Sequence, residues 1–224
     1  SAVGREQVGY RQRDECGRRV SLLGRTNYLG LLGAEAMQNR NKDIYLIGAG
    51  GHAKVILALL EAQGRKCLGI YDDNEQRHGT TLLDVPIIGA VREMPDRCDI
   101  SAVSAIGDNA TRKRIAESFR NIHWAMLRHP HSWVHGSVKI DEGSVVFAGV
   151  VIQPDTRIGK HTIINTSASV DHDCRIGDFY HIAPGCHLAG GVHINNLTFI
   201  GVGSAVIPNI SIASNTVVGA GASV

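Results

Sequence analysis

The sequence predicts a chain of two architectures, a small parallel α/β sheet followed by a parallel β-solenoid. Two patterns carry this. Stepping by six from Val134 to Val224 lands on Val, Ile or Leu sixteen times in succession, although only 27 of those 91 residues are of these types. From Asp43 onward, by contrast, short apolar runs alternate with glycine turns and helical periodicity. Residues 1 to 36 show neither pattern.

The first 36 residues hold six arginines and four acids, and so account for the whole formal net charge of +2. A basic arm for nucleic acid is conceivable, but a disordered leader is the better reading. Residues 1–42 therefore read as a leader or extension, disordered or non-native, ahead of a protein proper starting near Met37. Five cysteines, odd in number and without a C-x-x-C pair, read as free thiols in a reducing compartment. With no ~20-residue apolar span and no signal-peptide pattern, the chain reads as cytoplasmic.

Residues 43–128 read as one domain. Ile44-Tyr45-Leu46-Ile47 is a buried strand, Gly48-Ala49-Gly50-Gly51-His52 a tight turn, and Ala53 to Ala62 a helix with apolar residues at Val55, Ile56, Leu59 and Leu60. A strand from Lys66 to Tyr71 ends at Asp72-Asp73. Then come Val85-Pro86-Ile87-Ile88, a polar helix near Arg92, the strand Ile100 to Ile106, Gly107-Asp108-Asn109, a helix from Ala110 to Phe119, and a last strand around Trp124 to Leu127. The turn is close to the dinucleotide fingerprint G-x-G-x-x-G, with Ala53 in the third place and Asp72 standing 24 residues after Gly48. Phosphate oxygens would meet backbone N–H groups at the helix start, and a carboxylate would take a ribose hydroxyl or base edge. A plain packing turn explains the same glycines. Since roughly 85 residues make only half of a dinucleotide fold, a Rossmann-like domain for one nucleotide is the better reading.

Residues 129–224 form the solenoid. Strand side chains alternate with period two, so an even repeat keeps each marked residue, and the fifth position of each hexad, on the inner side. A straight strand would also bury the third position, which holds Glu142, Pro154, Lys160, Asp178, Pro184 and Asn196. The chain must turn within every hexad, and three hexads close one triangular coil. His181, His187 and His193 share one phase and fall on three different faces, so they cannot converge on a metal within one chain. His172 stands apart, at a corner between Asp171 and Asp173, where a carboxylate beside an imidazole suits a general base. Gly190, eighteen residues on, should present a backbone N–H one coil away on the same edge, as an oxyanion donor for acyl transfer.

These residues resemble the PglD/NeuD-type bacterial sugar acetyltransferases of the left-handed β-helix class. The likeness spans about Asp43 to Val224 and rests on Gly48-Ala49-Gly50-Gly51-His52, Tyr71-Asp72-Asp73, Gly107-Asp108-Asn109, His129-Pro130 and, above all, Asn165 to Gly190. The resemblance implies a left-handed coil and an acetyl-CoA-dependent N-acetyltransferase acting on the 4-amino group of a nucleotide-linked 4-amino-4,6-dideoxy sugar. UDP is the favoured nucleotide, no metal is needed, and a homotrimer carries its active sites between subunits. By motif, His172 is the general base and Asp173 the acid that orients it. Asn165 lies near the acceptor, and His181 and Gly190 contact the acetyl thioester of acetyl-CoA. Gly48, Gly50, Gly51 and His52 embrace the pyrophosphate, while Asp72 and Asp73 read the nucleoside. The Gly-x-Pro-Ala-Lys pattern that often closes such chains is absent before Val224, so part of the acetyl-CoA site is expected to be missing. Nine residues separate His172 from His181, half a coil, which sets them on opposite sides of one prism. An O-acetyltransferase of the sialic acid type and a non-catalytic nucleotide-sugar-binding module stay open as alternatives.

Overall fold

The computed structural model describes residues 11–13, 19–21 and 43–224. The leader expected over 1–42 lies outside the described residues apart from two short antiparallel strands, Arg11–Arg13 and Arg19–Ser21. Residues Asp43–Val224 form one compact unit.

The α/β part comprises β1 (Ile44–Ile47), α1 (Gly51–Ala62), β2 (Cys67–Tyr71), β3 (Thr81–Leu82), β4 (Val85–Gly89), β5 (Ser101–Ser104), α2 (Asn109–Ser118) and β6 (His123–Trp124). The strands lie in the order β3-β4-β2-β1-β5-β6, parallel throughout except for the β3–β4 hairpin. Central β1 has no exposed apolar residue because both its faces are covered, which is why it reads as a continuous apolar run. Helix α1 buries Ala53, Ile56, Leu57, Leu59 and Leu60, whereas Val55, read as apolar with them, is exposed. The helix expected near Arg92 is a single 3₁₀ turn, Val91–Glu93. The strand expected around Trp124 to Leu127 is split: β6 closes the sheet, whereas Leu127–Arg128 pairs with Val145–Val146 as the first rung of the solenoid.

The solenoid is the left-handed parallel β-helix expected. Its two-residue strands pair eighteen residues apart, as in Ile164 with Ile182, Ile182 with Ile200 and Ile200 with Val218. The aliphatic series fills the interior from Val146 to Val218. The turn that the polar third position demands is made one residue later. Every sixth residue from Gly143 to Gly221 has φ between +51° and +70°, and eight of these fourteen are not glycine. Polar residues at the inward fifth position are satisfied by a recurring bond to the carbonyl fifteen residues on: Ser144 to Gly159, Thr156 to Asp171, Thr162 to Gly177, Thr198 to Ala213 and Ser204 to Gly219, at 2.7–3.0 Å.

The three faces differ in what they turn outward. The first presents Leu127, Val145, Ile163, His181, Phe199 and Val217, and its upper rungs join the core of the α/β layer. The second presents Trp133, Val151, Ser169, His187 and Ala205; the third Lys139, Arg157, Arg175, His193 and Ser211. His181, His187 and His193 thus stand on three separate faces. Among the described residues Cys67, Cys174 and Cys186 are free thiols. Among the described residues no helix is long and apolar enough to cross a membrane.

Candidate active site

A crevice of about 390 Å³ opens beyond the carboxyl ends of β1, β2 and β5, where the strand order reverses on either side of β1. Open α/β sheets bind ligands at this point. Gly48, Gly50, Gly51, His52 and Asp72 all line it. Gly48 has φ +100°, a conformation that L side chains rarely adopt, and a Cβ there would stand 2.5 Å from Ile106 Cδ1, so glycine suits this turn. A Cβ on Gly50 or Gly51 meets open space instead, the approach a phosphate would use at the start of α1.

The two carboxylates part company. Asp72 Oδ2 accepts from Ala49 N–H at 2.6 Å and Oδ1 from Asn74 N–H at 2.9 Å, which holds the glycine turn from behind. Asp73 turns to the other side, where Oδ1 accepts from Val91 N–H at 3.0 Å and the residue lines a different cavity. Sequence reasoning missed Arg77. It donates to the Ala49 carbonyl and lines the crevice, placing a cation where phosphate charge would lie.

The crevice adjoins the first face of the prism through His52 and Gly107. The ring of His52 lies 5.4 Å from Phe147 and 6.2 Å from His181, and its Nε2 is buried with no partner among the described residues. Burial, with the charges of His181 and Arg112 adding, pushes His52 down to about 4. His181 is buried between the layers, its Nδ1 3.2 Å from the Gly107 carbonyl and its Nε2 3.3 Å from Asn165 Nδ2. Burial likewise lowers His181 to about 4 against the opposing effect of the Gly107 bond. Both imidazoles are neutral at pH 7. A second cavity of about 480 Å³ continues past Gly107 and His181 to Phe199 and Val217.

His172 lies elsewhere, on the corner between the second and third faces. That corner is opposite the first face, as the nine-residue spacing requires. The ring is exposed, and its Nδ1 is 2.8 Å from Asp173 Oδ2. This bond, reinforced by the charges of Asp171 and Asp173, raises His172 above the ordinary histidine range. With Nδ1 held by the carboxylate, Nε2 is the free basic nitrogen. Gly190 sits one coil away on the same edge. A Cβ there would come within 2.6 Å of His172 Cε1, and the next residue's N–H bonds the His172 carbonyl at 2.9 Å. The Gly190 N–H itself meets no acceptor among the described residues. The structure therefore brings together His172, Asp173 and Gly190 on one edge, and Asn165, His181 and His52 near the crevice, but not the two groups with each other.

Arg112 was also missed, although it falls in phase with Ile115 and Ala116 on α2 and so lies on the buried stripe. Within the α/β layer, residues 43–119 match the family model described as the PglD N-terminal domain. PerB from Caulobacter crescentus, solved in complex with CoA and GDP-perosamine, is 39% identical over 82% of this chain and 88% of that one, with a TM-score of 0.74. The acetyltransferase domain of PglB from Neisseria gonorrhoeae FA1090 is 33% identical, covers 82% of this chain and 91% of that one, and gives a TM-score of 0.75. A GDP-perosamine N-acetyltransferase of Escherichia coli O157:H7 is 33% identical over 110 residues. The match spans 47% of this chain and half the length of that curated relative.

Proposed function

The chain belongs to the PglD/NeuD-type family of left-handed β-helix sugar acetyltransferases, and from that membership we propose that it acetylates a nucleotide-linked 4-amino-4,6-dideoxy sugar at the 4-amino group, using acetyl-CoA. The observation that carries the chemistry is the His172–Asp173 pair over Gly190. The neutral amine attacks the thioester carbonyl, and His172 Nε2 takes its proton as the N–C bond forms. Gly190 N–H shares the oxyanion charge. The tetrahedral intermediate then expels the sulfur, which receives the proton from His172 and leaves as CoA thiol. Asp173 fixes the ring and stabilises its charged form.

The nucleotide is assigned to the crevice, with Gly48, Gly50, Gly51 and His52 about the pyrophosphate, Arg77 as its counter-charge and Asp72 toward the nucleoside. Asp73, turned to Val91, acts on the nucleoside only by shaping the strand end. Between UDP and GDP, the complexes of PerB with GDP-perosamine support guanine over the UDP that the resemblance favoured. Asn165 and His181 border the acceptor and the acetyl-CoA path. Because His172 sits on the corner opposite the crevice-bearing face, one reaction needs two chains, and we assign the active form as a homotrimer with sites between subunits. The reaction belongs in the cytoplasm, where acetyl-CoA and nucleotide sugars are made. An O-acetyl transfer to a sialic acid would use the same base, but the amino sugar named in the PerB complex supports nitrogen as the nucleophile.

The test is release of CoA thiol on mixing the protein with acetyl-CoA and a panel of UDP- and GDP-linked 4-amino sugars alongside free sialic acid. Thiol release dependent on one of the nucleotide-linked amines is expected. Turnover with sialic acid alone, or with no acceptor in the panel, would overturn the assignment.

A further inference from the structure

Arg112 is 1% exposed and has no carboxylate within ion-pair distance among the described residues. Its five N–H donors all meet oxygens instead. Nε donates to the His161 carbonyl at 2.8 Å, one terminal nitrogen to the carbonyls of Ile106 and Gly107 at 2.9 and 3.1 Å, and the other to Asn109 Oδ1 and the Tyr180 carbonyl at 2.6 and 3.0 Å. A guanidinium has five donors in a rigid fork, so this set is saturated. The acceptors come from the wall of the nucleotide crevice on one side and from two rungs of the prism on the other.

The Gly107 carbonyl also faces His181 Nδ1 at 3.2 Å. A carbonyl only accepts, so the proton of a neutral ring sits on Nδ1. On the far side, Asn165 Oδ1 accepts from Thr166 N–H at 2.9 Å, which fixes the amide and turns its NH₂ toward His181 Nε2 at 3.3 Å. Both neighbours therefore call for one tautomer.

We propose that Arg112 is a positioning residue which, by pinning the Gly107 carbonyl from behind, locks His181 as the Nδ1–H tautomer and presents its Nε2 lone pair as an acceptor at the junction of crevice and prism. The lowered proton affinity of the buried ring agrees with this. A ligand reaching His181 must then bring a donor, such as an amide N–H, and displace the Asn165 amide. A carbonyl oxygen finds no proton there, so oxyanion donation falls to Gly190. Only this last consequence rests on the proposed acetyl transfer.

The test is the two-bond ¹H–¹⁵N spectrum of the histidine rings in the ligand-free full chain at pH 7, with His181 assigned through His181→Gln. The proposal expects a single neutral pattern with Nδ1 protonated and Nε2 bare, and separate, slowly exchanging signals for the Arg112 guanidinium protons. A charged ring, an Nε2–H pattern or averaged guanidinium signals in the wild type would overturn it. Arg112→Lys keeps the charge but loses the fork, and should bring in the second tautomer; a folded Arg112→Lys with an unchanged His181 pattern would also overturn it. Because the spectra need no substrate, a failed acetylation assay leaves this result standing, and the reverse holds too.

Discussion

His172 owes its raised basicity first to its bond with Asp173 and then to the charges of Asp171 and Asp173, so two substitutions separate its roles. His172→Ala should lower turnover by ~10²-fold or more while leaving nucleotide-sugar affinity nearly intact, since the base acts in the transition state rather than in binding; steady-state rates and calorimetric titration check both halves. Asp173→Asn removes the charge, and weakens the charge-assisted bond, that raise the imidazole. The base is active when unprotonated, so the acidic limb of the kcat/KM profile should move to lower pH in that variant, with a lower plateau. An unmoved limb would separate Asp173 from the base. This corner was legible in the sequence because its parts are close in number: His172 and Asp173 are adjacent, and Gly190 is one coil of eighteen away. Arg77 and Arg112 were not, because each acts on a backbone carbonyl brought near only by folding. Asp72 and Asp73 look equivalent as a pair, but consecutive residues leaving a strand end point to opposite sides.

At the level of the strand and its corner, the hexad sets the register but not the exact position of the turn. The aliphatic first position and inward fifth position could be read from period and polarity, whereas the left-handed corner at the fourth could not, since Asp155, His161, Ser167, Phe179 and Leu197 occupy it as well as glycine. Phe179 takes φ +53° while its ring stacks on His161 at 5.0 Å, and this aromatic packing offsets a backbone conformation bulky residues rarely adopt. Inside the prism, Tyr180 breaks the rule that polar fifth positions find a carbonyl. Its ring is fully buried and its hydroxyl has no partner among the described residues. Tyr180→Phe keeps the shape and removes the orphan group, so it should stabilise the protein by about 1 kcal/mol in denaturant unfolding. A loss of stability would show that the hydroxyl is paired.

Across the whole molecule, the α/β layer and the prism are joined over buried imidazoles. Burial holds His52, His161 and His181 each at about 4, against 6.5 for an ordinary ring. The unfolded chain therefore binds more protons between those values, and stability is complete above pH 6.5 and lost as pH falls toward 4, on the order of 3 kcal/mol per ring at most. Thermal melts across that window should fall steeply with acidification; a flat response would mean that the rings are charged or wet. The two-layer order of the chain was legible from its change of period, but the sharing of Leu127–Arg128 with the prism was not, because a two-residue rung has no periodicity of its own. The central claim is that the nucleotide crevice of one chain is served by His172 of another. It is tested most directly by mixing two inactive proteins after dissociation and reassembly: His172→Ala, and Gly50→Glu, whose side chain has room but sets a carboxylate against the phosphates. The account predicts that the mixture regains acetyl transfer that neither variant has alone; a mixture as inactive as its components would contradict it.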